Sequence, residues 1–178
     1  SLTHNYSFLQ SLFASHQKEW APVLKLLCGN KTFLEYVLSL GDEQVCDARL
    51  SNIKRIKAIN PDKETIYIKP PAKRSIPNAV KYADVSFNTE LTTMKWLSIE
   101  AVKQQKIHRI IIMIELGDLR EGIMGEYLME FYKKIFELPN IQVAGIGANL
   151  NCLSGVMPSK DKLIQLSLYE QLIEAKFG

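Results

Sequence analysis

The sequence is poor in cysteine and has no run of apolar residues long enough to cross a lipid bilayer. Its longest apolar run is far shorter than the roughly 18 residues of a spanning helix, and no signal peptide opens the chain. Its three cysteines, Cys28, Cys46 and Cys152, are far apart and odd in number, which argues against a disulfide framework. We therefore expect a cytoplasmic protein with reduced thiols and no membrane partner.

Signals for metal and nucleic-acid ligands are also missing. The three histidines, His4, His16 and His108, are not spaced like zinc ligands, so no metal site is expected. The net charge is only +3, and the lysines and arginines are spread along the chain without a basic block. The sequence therefore argues against nucleic acid as a partner.

What the 178 residues do contain is a regular alternation of strand and helix patterns, with 47% hydrophobic residues to form a core. An opening amphipathic helix is expected to run to about residue 16. Strands are then predicted at residues 21–27, 44–48, 65–68, 83–87, 109–116 and 141–148. Helices are predicted at residues 33–40, 50–58, 91–102, 126–138 and 160–175, the third of them capped by Thr89.

About six strand-and-helix units of this kind predict a parallel sheet. Such a sheet can close into a barrel or stay open and doubly wound, and periodicity alone does not separate the two. No G-x-G-x-x-G motif follows the first predicted strand, which argues against the dinucleotide-binding form of the open sheet. A complete eight-unit barrel needs roughly 250 residues, so a barrel built from this chain would be incomplete.

Lys25 is the first candidate for chemistry. It interrupts an apolar run, with Val23 and Leu24 before it and Leu26 and Leu27 after it. Its ammonium either reaches out of the sheet or lies in a site shielded from water. A lysine in such a site loses its proton more readily and becomes a nucleophile that forms Schiff bases. A lysine with a structural ion-pair partner would give the same pattern.

A charged turn bounded by glycines, residues 115–122, follows the strongest predicted strand. In parallel α/β folds, ligands bind at the carboxyl ends of the strands. Arg120 could therefore bind an oxyanion there. The acidic residues of the turn either orient Arg120 or are solvated loop charges. They are Glu115, Asp118 and Glu121.

Small residues and amides occupy residues 145–152, after the last predicted strand. Glycines allow close approach of the backbone, and the side chains of Asn149 and Asn151 could point into a site. Tight packing of a strand on a helix would also account for the glycines.

Several segments resemble the N-terminal domain family of alanine racemases, and the resemblance covers essentially the whole chain. The closest resemblance is to the amino-acid racemase branch that includes ornithine racemase. It implies an α/β TIM-type barrel, incomplete in this chain, that binds pyridoxal 5'-phosphate (PLP). Residues 1–178 would then form one partial barrel domain without the family's C-terminal β domain. The segments are 23–29 (VLKLLCG), 47–52 (DARLSN), 116–122 (LGDLREG) and 149–152 (NLNC) with Gly155, Val156 and Pro158.

The resemblance also implies roles for individual residues. Lys25 matches the lysine that holds PLP as a Schiff base and then moves the α-proton of the substrate. Arg120 matches the arginine that hydrogen-bonds the phenolic oxygen of the cofactor. Asn149 falls where alanine racemases proper carry a histidine that packs on the cofactor ring. Arg49 would bind a substrate carboxylate through its bidentate guanidinium.

On this basis we expect a PLP-dependent amino-acid racemase that interconverts L- and D-amino acids as a cytoplasmic homodimer. A racemase needs a second base, on the face of the substrate opposite the lysine. In the family, this base is a tyrosine of the C-terminal β domain. We therefore expect this chain to be part of a longer protein and to be inactive alone. Two alternatives stay open: a non-catalytic PLP homeostasis protein, and a PLP-dependent amino-acid decarboxylase of the same barrel class.

Overall fold

The computed structural model describes residues 1–41, 44–151 and 154–177, which form two compact units. The helices are α1 (Leu2–Ser15), α2 (Lys31–Leu38), α3 (Leu50–Ile59), α4 (Ile76–Tyr82), α5 (Leu91–Lys103), α6 (Leu128–Phe136) and α7 (Lys160–Phe177). The strands are β1 (Gln44–Asp47), β2 (Glu64–Tyr67), β3 (Val85–Asn88), β4 (His108–Met113) and β5 (Ile141–Gly147). The first unit comprises Ser1–Ile68 and Tyr82–Asp84, and the second comprises Lys69–Lys81 and the residues from Val85 onward. None of the helices in the described part of the chain combines the length and the apolar character that a bilayer-spanning helix needs.

The first unit is built around two parallel strands. β1 and β2 pair from Gln44 opposite Glu64 to Asp47 opposite Tyr67. Asn30 caps the start of α2 with its side-chain oxygen. A buried apolar cluster joins α2, α3 and β1, and it consists of Leu24, Leu34, Val37, Leu38, Val45 and Ile56. This core supports the carboxyl end of β1, where the chain turns into α3.

Three parallel strands form the sheet of the second unit, with β4 between β3 and β5. β4 is the isoleucine-rich segment, and the side chains of Ile110 and Ile112 are completely buried, as is that of Ile114 just after the strand. α5 adds three more fully buried residues, Met94, Leu97 and Ala101. The charged turn at residues 115–122 therefore begins from the best-buried strand of the unit.

The predicted strand at residues 21–27 is wrong. Val23 makes a single parallel bridge to β1, after which the chain turns as a 3₁₀-helix at Leu24–Leu27. Leu24 is 3% exposed whereas Leu26 is 85% exposed, so this apolar run does not lie in a sheet that is covered on both faces. The described residues consequently contain five strands rather than six.

Two smaller predictions also differ from the structure. The sequence did not indicate α4, which carries Pro77 in its first turn, where a missing N–H costs little. α5 begins after Glu90, whose side chain makes no capping hydrogen bond, so Thr89 is not the cap. The other predicted strands are confirmed, with their ends shifted by a few residues.

The buried thiol of Cys46 in β1 is expected to make the protein less stable at alkaline pH. Burial, together with the negative charge of Asp47, raises the pKa of its thiol from 9.0 to about 11. Between these values the unfolded chain loses the thiol proton while the folded chain keeps it, so stability falls as the pH rises. From about pH 8 to about pH 10.5, we expect the free energy of unfolding to drop by about 2 kcal/mol more in the unmodified chain than in Cys46→Ala.

Urea unfolding of both proteins at the two pH values measures this difference. Burial also raises the pKa of Tyr67, with a smaller contribution from Asp47, but the tyrosine is common to both proteins. An equal loss of stability in the two proteins would contradict the role of the Cys46 thiol.

Candidate active site

Lys25 lies on an exposed turn that is anchored on both sides. Leu24 before it is buried in the core, and Gly29 after it packs against α3. A Cβ atom at Gly29 would lie 2.6 Å from Asn52 Oδ1 and 2.7 Å from Arg55 Nη1, and the Arg55 guanidinium donates to the Gly29 carbonyl at 2.8 Å. The sequence allowed the Lys25 ammonium either to reach solvent or to lie in a site shielded from water. In the structure it reaches solvent.

Arg49 is held close to this turn by a buried carboxylate. Asp47 accepts hydrogen bonds from the Arg49 backbone N–H at 2.8 Å and from the Asn52 side chain at 3.1 Å, which fixes the start of α3. The exposed Arg49 guanidinium then donates to Cys28 Sγ at 3.7 Å. Because Cys28 follows Lys25 by three residues, the structure brings the predicted cofactor lysine and the predicted substrate-binding arginine to the same region of the first unit.

The turn at residues 115–122 is closed by hydrogen bonds at both ends. The Glu115 carboxylate accepts from the N–H groups of Gly117 and Leu119, the latter at 3.1 Å. The chain then returns to β4, where the Ile123 N–H donates to the carbonyl of the last residue of the strand at 2.8 Å. Glu115 is therefore part of the structure of the turn rather than a solvated charge.

Gly122 packs directly against the backbone at the end of β4. Its φ is +139°, and an added Cβ atom would lie 2.3 Å from Glu115 N and 2.5 Å from the carbonyl carbon of Ile114. Both the backbone conformation and the lack of space exclude an L-residue here. This close approach fixes the backbone that carries Arg120 and Glu121.

Asp118 ties the same turn to a later segment. It is 1% exposed, and its Oδ1 accepts from the Ser154 N–H at 3.1 Å. The Ser154 hydroxyl donates to the Asp118 carbonyl at 2.7 Å. The ammonium of Lys162 in α7 donates to the carbonyl of Leu116. Asp118 is therefore a buried structural acceptor.

One carboxylate oxygen connects Arg120 with Asn149. Glu121 Oε1 lies 3.6 Å from Arg120 Nη2 and accepts a hydrogen bond from the Asn149 side-chain amide. The Glu121 side chain is 14% exposed and that of Arg120 is 36% exposed. The structure thus brings these two predicted cofactor residues together. Cys152, at the end of this motif, lies outside the described residues.

Two structural residues were not among those predicted from the sequence. Asn52 holds the start of α3 in the first unit, and Ser154 holds the turn at residues 115–122 in the second. Asn52 donates to Asp47 five residues before it, and aspartate side chains that bond to nearby groups are a known local signal at helix starts. Ser154 is 36 residues from its partner Asp118, so no local pattern could have revealed that contact.

The four predicted site residues divide between the two units, with Lys25 and Arg49 in the first and Arg120 and Asn149 in the second. The first unit carries a primary amine and a guanidinium, and the second carries a guanidinium and an amide. A primary amine can attach an aldehyde covalently, and guanidinium groups bind anionic oxygens.

A sequence model of the alanine racemase N-terminal domain matches residues 1–176. The chain belongs to this family. Ornithine racemase of Acetoanaerobium sticklandii is 37% identical over 166 residues, which are 93% of this chain and 46% of that protein. Lysine racemase of Thermotoga maritima is 26% identical over 151 residues, which are 84% of this chain and 42% of that protein. The chain therefore spans somewhat less than half the length of these curated relatives.

Several solved structures share the fold at low sequence identity. PipY of Synechococcus elongatus, solved with PLP bound, superposes with a TM-score of 0.79 at 12% identity, covering 99% of this chain and 83% of that one. An alanine racemase of Clostridium difficile superposes with a TM-score of 0.70 at 12% identity, covering 88% of this chain and 41% of that one. These likenesses confirm the predicted fold class, the α/β barrel of the alanine racemase family.

Proposed function

We propose that the whole protein containing this chain is a PLP-dependent amino-acid racemase. The observation that carries the proposal is the 37% identity to an ornithine racemase over 93% of the chain. A second relative is a lysine racemase, and both names refer to amino acids whose side chains carry an amine. Ornithine and lysine are therefore the first substrates to test. We further propose that the protein acts as a cytoplasmic homodimer, as the family resemblance implies.

The groups in the described residues fit the chemistry of PLP, which offers an aldehyde and an anionic phenolic oxygen. Lys25 presents a solvent-reaching amine for covalent attachment. Arg120 presents a cationic donor suited to the phenolic oxygen, with the Asn149 amide beside it. When bound, PLP supplies the electron sink that stabilises the substrate once its α-proton has left.

The residues of this chain would supply one half of the proton transfer. The Lys25 amine holds or moves the proton at the substrate α-carbon on one face. Arg49 holds the substrate carboxylate through two parallel hydrogen bonds. A racemase also needs a proton-transfer group on the opposite face, and we assign that group to a part of the protein outside this chain.

A second candidate function is that of a non-catalytic PLP carrier. The likeness to PipY supports this candidate as far as PLP binding goes, because that protein was solved with PLP bound. A carrier would use Lys25 and Arg120 to bind PLP but would need no second proton-transfer group.

The test is a PLP titration of the purified whole protein, followed by incubation of the loaded protein with L-ornithine, L-lysine and L-alanine. We expect a saturable absorbance band from bound PLP, and chiral chromatography should detect the D-form of ornithine or lysine. Binding without conversion of any substrate would favour the carrier. Failure to bind PLP would overturn both candidates.

A further inference from the structure

The Glu121 side chain lies at the centre of the polar contacts around Arg120. Its Oε1 atom accepts a hydrogen bond from Asn149 Nδ2 and lies 3.6 Å from Arg120 Nη2. The side chain is 14% exposed, so the carboxylate is not a solvated loop charge. The two residues of this unit that the family resemblance assigns to the cofactor thus meet on one carboxylate oxygen.

The backbone beneath Glu121 leaves this carboxylate little freedom. Gly122 packs against the backbone at the end of β4, and Glu115 accepts two N–H groups of the same turn. A carboxylate held in this way restricts the rotamers of a neighbouring guanidinium, because a charge-assisted contact is stronger than a neutral hydrogen bond. Without it, the partly exposed Arg120 side chain could turn towards solvent.

We propose that Glu121 is a positioning residue, which holds the Arg120 guanidinium and the Asn149 amide in one arrangement for binding PLP. This inference rests on the proposed function. The contact to Glu121 uses Nη2 of Arg120, and a guanidinium has five N–H donors in all, so donors remain for the phenolic oxygen of the cofactor. Glu121 acts through Arg120 and Asn149 and does not itself touch the reacting atoms.

Glu121→Ala should raise the PLP dissociation constant of the whole protein by about tenfold or more, as expected when a hydrogen bond to a charged group is lost. Glu121→Gln keeps an acceptor for Asn149 but loses the charge. Its PLP dissociation constant should therefore lie between those of the native protein and of Glu121→Ala. Glu126→Ala is the matched control, because Glu126 is an exposed glutamate on the following segment. Its dissociation constant should equal that of the native protein.

A comparison with Arg120→Ala separates positioning from a merely structural role. If Glu121 acts through Arg120, adding Glu121→Ala to Arg120→Ala should weaken PLP binding by less than Glu121→Ala does in the native protein, because only the Asn149 amide then remains for Glu121 to position. The absorbance maximum of bound PLP should also move in the same direction in both single variants. Additive effects on binding, or opposite spectral shifts, would overturn this inference.

Two other outcomes distinguish this inference from the proposed function. If Glu121→Ala binds PLP normally while Arg120→Ala binds it weakly, the inference is overturned and the proposed function stands. If the native protein does not bind PLP, the proposed function is overturned, and the role of Glu121 falls with it.

Discussion

Replacing Lys25 with alanine is expected to abolish covalent attachment of PLP and to lower racemase activity by at least about 1,000-fold. Lys25 is assigned both the attachment and the proton transfer on one face of the substrate, so the substitution removes two functions at once. Because Lys25 is exposed and its turn is anchored by Leu24 and Gly29, the fold should remain intact.

Borohydride reduction of the PLP-loaded whole protein, followed by peptide mapping, measures the attachment directly. The label should lie on Lys25 in the native protein and be absent from Lys25→Ala. Lys31→Ala is the matched control, because Lys31 is an exposed lysine nearby whose ammonium lies 3.6 Å from the Glu35 carboxylate. It should keep both the label and the activity. A fully labelled Lys25→Ala would show that another lysine binds the cofactor.

Most of the fold could be predicted from the spacing of apolar residues, because buried parallel strands such as β4 are continuous apolar runs. The same signal failed at residues 21–27, where a similar run forms a single bridge and a turn. An apolar run does not show whether both of its faces will be covered, and Leu26 is in fact 85% exposed. α4 was missed because its seven residues make only about two turns, too few for a helical period to stand out.

In the candidate site, the sequence reveals features within one short segment but not contacts between distant residues. The turn at residues 115–122 could be recognised from its glycines and charges, because these lie within one short segment. The contacts from Asp118 to Ser154 and from Glu121 to Asn149 span 36 and 28 residues, so no local pattern reveals them. From the sequence alone, the acidic residues of the turn were therefore open to two interpretations, groups that orient Arg120 or solvated loop charges. The chemical roles came from the family resemblance, because hydrogen bonds alone do not identify a cofactor.

Gly122→Ala is expected to destabilise the protein by about 3 kcal/mol or more. The added Cβ atom would lie 2.3 Å from Glu115 N and 2.5 Å from the carbonyl carbon of Ile114. These are backbone atoms, and moving them would disturb the hydrogen bond from Glu115 N–H to the Ile123 carbonyl, now 3.0 Å long. The φ of +139° adds backbone strain. Because the turn carries Arg120, the same shift should weaken PLP binding.

Gly41→Ala is the control that separates the steric clash of an added Cβ atom from the backbone strain of a positive φ. Gly41 has a φ of +109°, but a Cβ atom there would meet no atom of the described residues within 4 Å. It therefore carries the conformational penalty alone, about 1 kcal/mol. Urea unfolding measures both variants, and a PLP titration should show weaker binding only for Gly122→Ala. Equal destabilisation would mean that the backbone at the end of β4 yields to the added methyl group, and the turn would then not hold Arg120 in a single position.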